Sequence, residues 1–271
     1  MTEKSGFTTV LLIDDPLAAA KEIAQALAKA RKVPVLDVTR EARSCWGLIG
    51  EYRSEEEAVA TVTELKEAGM PATMVPTANL FPLAGVQTVR KIEIDDAGFR
   101  CKLSRGLSPL IPWAAPSFLA AAIIKTSSFK NVTKQEGPSK SEKLIRMSIT
   151  MATGIPIPGG RTRTVSRRLE TTSVMGVLDI GLDKPAGRLR MEADRLDLSY
   201  LGERRTYDSL GNFKQMIIDA SSRMAIENVN VGARLIMSKA NSSNMGYDNL
   251  GELEREERWM MARRALRRAG H

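Results

Sequence analysis

Histidine is almost missing from this chain of 271 residues, because the only one, His271, stands at the last position. Serine and cysteine nucleophiles commonly need a histidine base, so composition excludes Ser-His-Asp and Cys-His arrangements. The two cysteines, Cys45 and Cys101, have no metal-ligand spacing, which excludes a typical structural zinc site, although a disulfide between them stays open. We expect no catalytic residue, no metal and no cofactor, and predict that the protein is not an enzyme.

Signals for secretion or for a membrane span are also lacking. The first seven residues contain no apolar core of a signal peptide, which predicts a cytoplasmic protein. The uncharged run over residues 106–124 contains three prolines in its first half, and proline disfavours a spanning helix. We therefore expect no transmembrane segment, but a loop that leads into a buried strand or a short core helix over residues 118–125.

The stretch TTVLLIDDP (residues 8–16) ends an apolar strand with Asp14 and Asp15, as phosphate-accepting receiver domains do. Such a domain needs a third carboxylate after a later strand and an alternating order of strands and helices, and both are missing. Asp15 precedes Pro16 and is expected to cap the first helix instead, because aspartate accepts the free amides at a helix start. The glycine-rich stretch after Gly154 has no strand–loop–helix frame, so nucleotide binding is not expected.

Apolar periodicity predicts two copies of a strand–helix–strand unit near the start of the chain. Ser54 and Glu57 form a capping box at the second helix, and Gly69 is expected to end it. The pattern predicts a ferredoxin-like βαββαβ plait over residues 1–84. Its expected elements are strand 10–13, helix 16–31, strand 33–38, strand 46–52, helix 54–68 and strand 69–75.

After residue 85 the apolar residues alternate, which predicts antiparallel strands. We expect a barrel or curled sheet with a closing helix over residues 85–225, and a helical extension over 226–271 whose last helix follows Asn249. Asp179 and Asp183 are expected to bracket a hairpin turn at the glycine between them, with a carboxylate-only metal site as the alternative. The expected elements are strands 86–94, 99–103, 144–151, 171–180 and 188–192, a turn at 95–98, loops 131–143 and 155–168, and helices 209–224 and 249–268.

Two sets of short motifs resemble known families. GLIGEY (47–52) and LKEAGMPA (65–72) resemble small bacterial signal-transducing modules of unknown function, which adopt a ferredoxin-like plait. DDAGF (95–99) and IPW (111–113) are similar to bacterial pleckstrin-homology-like domains, over roughly residues 86–225. Both resemblances imply binding or regulatory modules without an active site, and the second implies a basic phosphoinositide-type pocket.

Two arginine clusters are the candidate anion-binding residues of a chain with a net charge of +8. One is expected in an exposed loop among hydroxyl side chains, and the other ends the last helix. Each also has a simpler explanation: a solvated loop in the first case, and in the second a helix whose acidic start and basic end suit its dipole. The residues are Arg161, Arg163, Arg167, Arg168, Arg263, Arg264, Arg267 and Arg268.

These observations predict a non-enzymatic, cytoplasmic regulatory protein that acts through protein–protein contacts. The alternative is a module that binds an anionic surface, RNA or a lipid headgroup, through the arginine clusters. Trp259, Ala262 and Leu266 form an apolar stripe on the last helix, which is expected to dock on the same chain or on another protomer.

Overall fold

The computed structural model describes residues 6–15, 20–80, 82–103, 106–136, 140–154, 163–183, 186–238 and 247–269. The chain is a mixed α+β protein with several sheets. It divides into two compact units, Met1–Lys125 with Val174–His271, and Thr126–Ser173. We call the second unit the insert. Among the described residues, no helix is both long and apolar enough to cross a bilayer.

The first sheet has three antiparallel strands in the order β2–β1–β3, with β1 in the centre. Three helices accompany it, and a cluster of buried side chains that includes Val10, Ile23 and Leu65 forms its core. Ser54 caps α3 by accepting a hydrogen bond from the amide of Glu57, as predicted. The elements are β1 (Thr8–Leu12), α1 (Ala20–Arg31), α2 (Val35–Ser44), β2 (Leu48–Tyr52), α3 (Glu55–Glu67) and β3 (Ala72–Pro76).

The strand predicted over residues 33–38 is wrong, because α2 begins there at Val35. Pro34 occupies the N-cap position, where its fixed φ is compatible with a helix start. Val38 and Ala42, four residues apart, are the buried positions of α2, so the apolar period is helical. The short apolar run is compatible with a strand, but the spacing of the buried residues Val38 and Ala42 is that of a helix.

Two further sheets follow. One has the order β4–β11–β10–β9, with β4 parallel to β11. The other contains β5, β6, β7 and β8, and Asp95 holds its predicted hairpin by accepting from the amides of Ala97 and Gly98 at 2.9 Å each. Over the described ranges these sheets do not close into a barrel. The strands are β4 (Val86–Thr88), β5 (Lys91–Ile94), β6 (Gly98–Leu103), β7 (Gly106–Leu107), β8 (Ile111–Pro112), β9 (Pro116–Glu136), β10 (Arg163–Asp183) and β11 (Ala186–Glu192).

Several predictions for the middle of the chain are wrong. The strand predicted from residue 118 is present but runs to Glu136, so it takes the place of the first part of the loop expected over 131–143. The strand expected over 144–151 lies inside helix α4 (Lys140–Thr153), because its apolar residues also recur at helical spacing. Of the loop expected over 155–168, residues 155–162 lie outside the described part of the chain, and β10 starts at Arg163.

The hairpin turn expected between Asp179 and Asp183 is also wrong, because β10 continues through Gly181. A Cβ atom at Gly181 would come within 2.2 Å of the Phe118 ring. The glycine therefore allows β10 to approach the side chain of Phe118 closely, and it does not mark a turn.

Three helices complete the larger unit: α5 (Ser209–Ser221), α6 (Val231–Met237) and α7 (Leu250–Arg268). Asn249 caps α7 as predicted, by accepting from the amide of Glu252. The indole nitrogen of Trp259 donates to the carbonyl oxygen of Leu12 at 2.7 Å, which places the apolar stripe of α7 against the same chain. A Cβ at Gly47 would lie 2.5 Å from that indole, so this glycine permits the contact.

Candidate functional site

Strand β11 places two arginines, Arg188 and Arg190, on one face, because side chains two residues apart in a strand point the same way. Arg190 stands directly opposite Asp179 of β10 in the antiparallel register. Its Nε donates to Asp179 Oδ1 at 2.9 Å and its Nη2 to Oδ2 at 2.6 Å. This two-point geometry is the strongest form of arginine–carboxylate pair, and it fixes the guanidinium in the sheet.

Helix α7 supplies the other carboxylates of this cluster. Glu254 and Glu257 are three residues apart and therefore neighbours on one helix face. Arg188 donates through Nη1 to Glu257 Oε2 at 2.6 Å and through Nη2 to Glu254 Oε1 at 3.1 Å. Arg190 Nη2 also reaches Glu254 Oε1 at 3.0 Å. The three contacts join α7 to the sheet.

The charges of this cluster do not balance. Two guanidinium groups face three carboxylates, and Asp179 and Glu257 are both fully buried. Burial, together with the neighbouring charge of Asp179, raises the pKa of Glu257 well above its usual range. Burial alone would also raise the pKa of Glu254, but the guanidinium groups of Arg190 and Arg188 outweigh it and the pKa is lowered. Glu257 is thus the carboxyl group of this cluster whose protonated form the surroundings favour.

A groove with a volume of about 1120 Å³ opens beside this cluster, between the β10–β11 end of the sheet and the last turns of α7. Its wall is mainly apolar, and four charged side chains also line it. The apolar residues are Pro82, Leu83, Ala84, Ala114, Ala115, Phe118, Leu182, Ala186, Met261, Ala265 and Ala269. The charged residues are Asp183, Arg188, Arg264 and Arg268.

Arg264 and Arg268 are two of the predicted anion-binding residues, and the structure brings them together in the groove. Arg268 donates through Nη2 to Oδ2 of Asp183 at 3.1 Å, and Nη2 of Arg264 forms an ion pair with the same oxygen at 3.1 Å. The pKa of Arg264 is lowered by burial and by the positive charge of Arg268, against the opposing effect of Asp183. The Nη1 atom of Arg264 is buried and has no hydrogen-bond partner. The single carboxylate of Asp183 therefore pairs with two arginines, and a bound anion would supply the acceptor that Arg264 lacks.

The other two arginines of α7 lie elsewhere. Arg263 is stacked over the Trp259 ring, with its guanidinium carbon 5.1 Å from the ring centroid. It lines a smaller pocket with Asp14 and Asp15, and burial and the charge of Arg267 lower its pKa. Arg267 is exposed. The helix periodicity divides the predicted cluster into two faces, so only half of it belongs to the groove.

The first predicted cluster belongs to the insert. Arg163, Arg167 and Arg168 lie in β10, and Arg161 lies outside the described residues. The expected exposed loop is therefore a strand from Arg163 onwards. The two arginine clusters belong to different structural units of the chain.

Asp15 has a partner that is distant in the sequence. Its carboxylate forms an ion pair with Arg234 of α6. The helix start that Asp15 was expected to cap falls on residues 16–19, which lie outside the described residues, so the cap stays a prediction. Among the residues described here, no group of three or more His, Cys, Asp or Glu side chains is arranged to hold a metal ion.

A second buried polar network, centred on Asn230, is not predicted by the sequence. Its Oδ1 accepts from the amides of Ala121 at 2.8 Å and Ala233 at 2.9 Å, and its Nδ2 donates to Glu256 Oε2 at 2.8 Å. Tyr247 donates its hydroxyl to the same Glu256 carboxyl group. Burial raises the pKa of Glu256, against the lowering effect of these donors. The position of Asn230 before an apolar helical run indicates a helix cap. No local sequence signal indicates its contacts with β9 and α7.

The charged cluster beside the groove is likewise not predicted by the sequence. The alternation Arg188-Leu-Arg190-Met, with both arginines on one strand face, was the available signal. Glu254 and Glu257 were interpreted as acids that suit a helix N-terminus, although Glu257 is fully buried. A buried strand that carries arginine at every second position predicts a carboxylate-bearing element across from it, because buried charges are paired.

Comparison of the chain with protein-family models, with curated proteins and with solved structures found no match. The geometry of the site therefore carries the functional argument by itself. The groove combines an apolar wall with guanidinium groups that lack a full set of acceptors, and such a surface suits a ligand with apolar and anionic parts.

Proposed function

We propose that this chain is a non-enzymatic binding protein whose groove receives an acidic, apolar segment of a partner protein. The groove itself carries the proposal, because Arg264 and Arg268 share the single carboxylate of Asp183 beside an apolar wall. The guanidinium group of arginine can bind a carboxylate through two parallel hydrogen bonds. Arginine is also enriched among the residues that contribute most of the binding energy at protein interfaces. The partner's carboxylates would replace or join Asp183 on these two side chains.

The size of the groove favours a chain segment over a small molecule. Pockets for small ligands typically have volumes of about 300–1000 Å³, and this groove exceeds that range at about 1120 Å³. Met261 and Ala265 present one helix face to it, while Leu182 belongs to the sheet side. A partner segment with alternate acidic and apolar residues could contact both sides.

The architecture supports a regulatory binding role. We propose that the first sheet is a ferredoxin-like plait in which α2 replaces the second strand, since the order β2–β1–β3 matches the plait without that edge strand. We propose further that the sheets of β4 to β11 with α5 form a pleckstrin-like region. Modules of both kinds bind partners, and a cytoplasmic location is part of this proposal.

A selection experiment tests the proposed groove. Phage-displayed peptides of about twelve residues would be selected against the full chain, and the affinities of the enriched peptides measured by fluorescence anisotropy. We expect enrichment of Asp and Glu beside apolar residues. The double variant R264E/R268E and the groove-filling variant Ala265→Trp should each weaken binding by about tenfold or more, which corresponds to about 1.4 kcal/mol.

Ala60→Trp provides the matched control, because Ala60 is an exposed alanine on the separate helix α3. It should leave the peptide affinity unchanged, and all variants should keep the melting temperature of the wild type within a few degrees. Peptides without acidic enrichment, or peptides that bind Ala265→Trp as tightly as the wild type, would show that the groove is not the binding site.

A further inference from the structure

Helix α4 in the insert exposes several large apolar side chains at once. Leu144 is 67% exposed, Ile145 58%, Met147 57% and Met151 77%. Single exposed apolar residues are normal on a protein surface, but a continuous group of them marks a contact surface. Leu144, Met147 and Met151 follow the spacing of one helix face, so their side chains form one apolar stripe.

The insert is also the most basic part of the chain. The charges of residues 126–173 account for most of the net charge of +8. The cationic residues are Lys130, Lys134, Lys140, Lys143, Arg146, Arg161, Arg163, Arg167 and Arg168. The acidic residues are Glu136, Glu142 and Glu170.

We propose that the insert docks on an anionic lipid bilayer, with α4 lying in the plane of the interface. An amphipathic helix binds there when its apolar side chains enter the boundary of headgroups and acyl chains. Neighbouring lysines and arginines add attraction to anionic headgroups, and each contributes about 1 kcal/mol near the surface. The exposed stripe and the cationic sequence supply both contributions in one segment, and this surface is separate from the residues of the groove.

The composition of the insert argues against two other occupants of the apolar stripe on α4, a second copy of the chain and RNA. A second copy of the chain would bring two strongly positive inserts together, and like charges oppose that contact. Single-stranded RNA is usually held by stacking on aromatic rings, and Phe129 is the only aromatic residue of the insert sequence. A bilayer with anionic lipid satisfies both the apolar and the positive character.

The test uses the full chain and two kinds of vesicle. One contains phosphatidylcholine alone, and the other contains phosphatidylcholine and phosphatidylglycerol in a ratio of about three to one. Co-flotation gives the partition coefficient in about 0.1 M and about 0.5 M NaCl, because salt screens the attraction of the headgroups. We expect binding to the anionic vesicles that exceeds binding to the neutral ones by about tenfold or more and that falls in high salt.

Two variants separate the contributions of the insert. L144S/M147S/M151S removes the apolar stripe, and K140S/K143S/R146S removes the cations of α4. Each should lower the partition coefficient into anionic vesicles by about tenfold. The matched control is L36S/V59S/I226S, which removes three exposed apolar residues outside the insert and should change nothing. Circular dichroism and the melting temperature verify that every variant is folded.

A reporter variant, Met147→Trp, gives an independent measurement that does not depend on loss of binding. Its fluorescence should shift to shorter wavelength with anionic vesicles, whereas the control Val59→Trp, at an exposed position outside the insert, should not respond.

Equal binding to neutral and anionic vesicles would overturn the proposal, and so would an unchanged partition coefficient for L144S/M147S/M151S. Two other results would assign the surface to a different occupant and would also reject it. One is a lipid-free oligomer that L144S/M147S/M151S dissociates. The other is salt-dependent binding of a single-stranded RNA probe by the wild type in the absence of any vesicle response.

Discussion

Three carboxylates and two guanidinium groups meet beside the groove. The surroundings of Glu257 favour the protonated form of its carboxyl group, which reduces the excess negative charge. Its Oε2 accepts from Arg188, while burial and Asp179 raise its pKa. Glu254 has the opposite tendency because Arg190 and Arg188 stabilise its charged form. The pKa values of two glutamates one turn apart on α7 are therefore shifted in opposite directions, and this difference has measurable consequences for stability.

Replacement of Glu257 by Gln should change the pH dependence of folding. Since the pKa of Glu257 is raised in the folded state, the folded protein holds a proton that the unfolded chain loses above its ordinary pKa of 4.5. Stability contributed in this way is complete below that value and falls as pH rises towards the folded pKa. Measured by urea denaturation from about pH 5 to about pH 8, Glu257→Gln should gain stability relative to the wild type as pH rises, by up to about 1.4 kcal/mol per pH unit.

Glu254→Gln is the control for this measurement. The lowered pKa of Glu254 means that its contribution is complete above its ordinary pKa of 4.5 and is lost only as pH falls through the folded pKa. Its cost should therefore stay constant over the same range of about pH 5 to about pH 8. If the Glu257→Gln difference were equally constant, Glu257 would be ionised in the folded protein.

Asp183 competes with any anionic ligand for Arg264 and Arg268. Replacement of Asp183 by Asn should strengthen the binding of 8-anilinonaphthalene-1-sulfonate, an apolar anion, by roughly two- to fivefold, as expected for partly exposed ion pairs. A fluorescence titration gives the affinity. Asp37→Asn, an exposed charge change on α2, is the control that should have no effect. Weaker dye binding by Asp183→Asn would mean that Asp183 positions the arginines and does not compete.

At the residue scale, local signals predicted local contacts. The caps at Ser54 and Asn249 follow from residue type and position beside an apolar run, and both are present. The partners of Asp15 and Glu257 lie 219 and 69 residues away in the chain. Their roles depend on which elements become neighbours, and residue spacing contains no information about that.

At the scale of elements, Asn230 links the start of α6 to β9 and α7. It caps α6 through the amide of Ala233, and it also pairs with the backbone of Ala121 and the carboxyl group of Glu256. One buried side chain therefore satisfies polar groups of three elements. Loss of a buried partner leaves those groups unsatisfied, which costs more than loss of an exposed cap.

Two asparagine caps allow this comparison within one protein. Asn230→Ala should lower the free energy of unfolding by about 3 kcal/mol or more, because buried polar groups of Ala121 and Glu256 lose partners. Asn249→Ala removes an exposed cap of α7 and should cost about 1 kcal/mol. Urea denaturation at one pH measures both. Equal costs for the two variants would show that Asn230 acts only as a cap.

Elements were predictable where one apolar period was clear. Helices α3, α5 and α7 and strands β1, β6 and β11 lie where the sequence indicates. The start of α2 and most of α4 were predicted as strands, because a short apolar run is compatible with both the strand period and the helix period. In α4 several large apolar side chains are exposed in the structure, although apolar residues at helical spacing usually indicate a buried helix face.

At the scale of the whole molecule, the chain consists of two compact units that share the strands β9 and β10. The larger unit contains both hydrophobic clusters and all the residues of the groove. We expect the larger unit to fold without the insert, because all the buried residues that the structure describes in the two clusters lie outside residues 126–173.

Replacement of residues 126–173 by an Asn-Gly turn should keep the melting temperature within a few degrees of that of the full chain, since the described residues of both hydrophobic clusters lie outside the insert. The shortened chain should bind the groove peptides unchanged and lose its binding to anionic vesicles. Differential scanning calorimetry and the two binding assays test this together. An unfolded product, or loss of peptide binding, would show that the insert is needed by the larger unit.

The groove itself can be observed directly by nuclear magnetic resonance of methionine methyl groups, since Met261 lines it and Met147 and Met151 lie in the insert. The measurement is a titration of the full chain, labelled at its methionine methyl carbons, with a selected acidic peptide. The binding proposal predicts a saturable shift of the Met261 signal, with Met147 and Met151 unchanged and no shift in R264E/R268E. A peptide that binds and leaves Met261 unperturbed would contradict it.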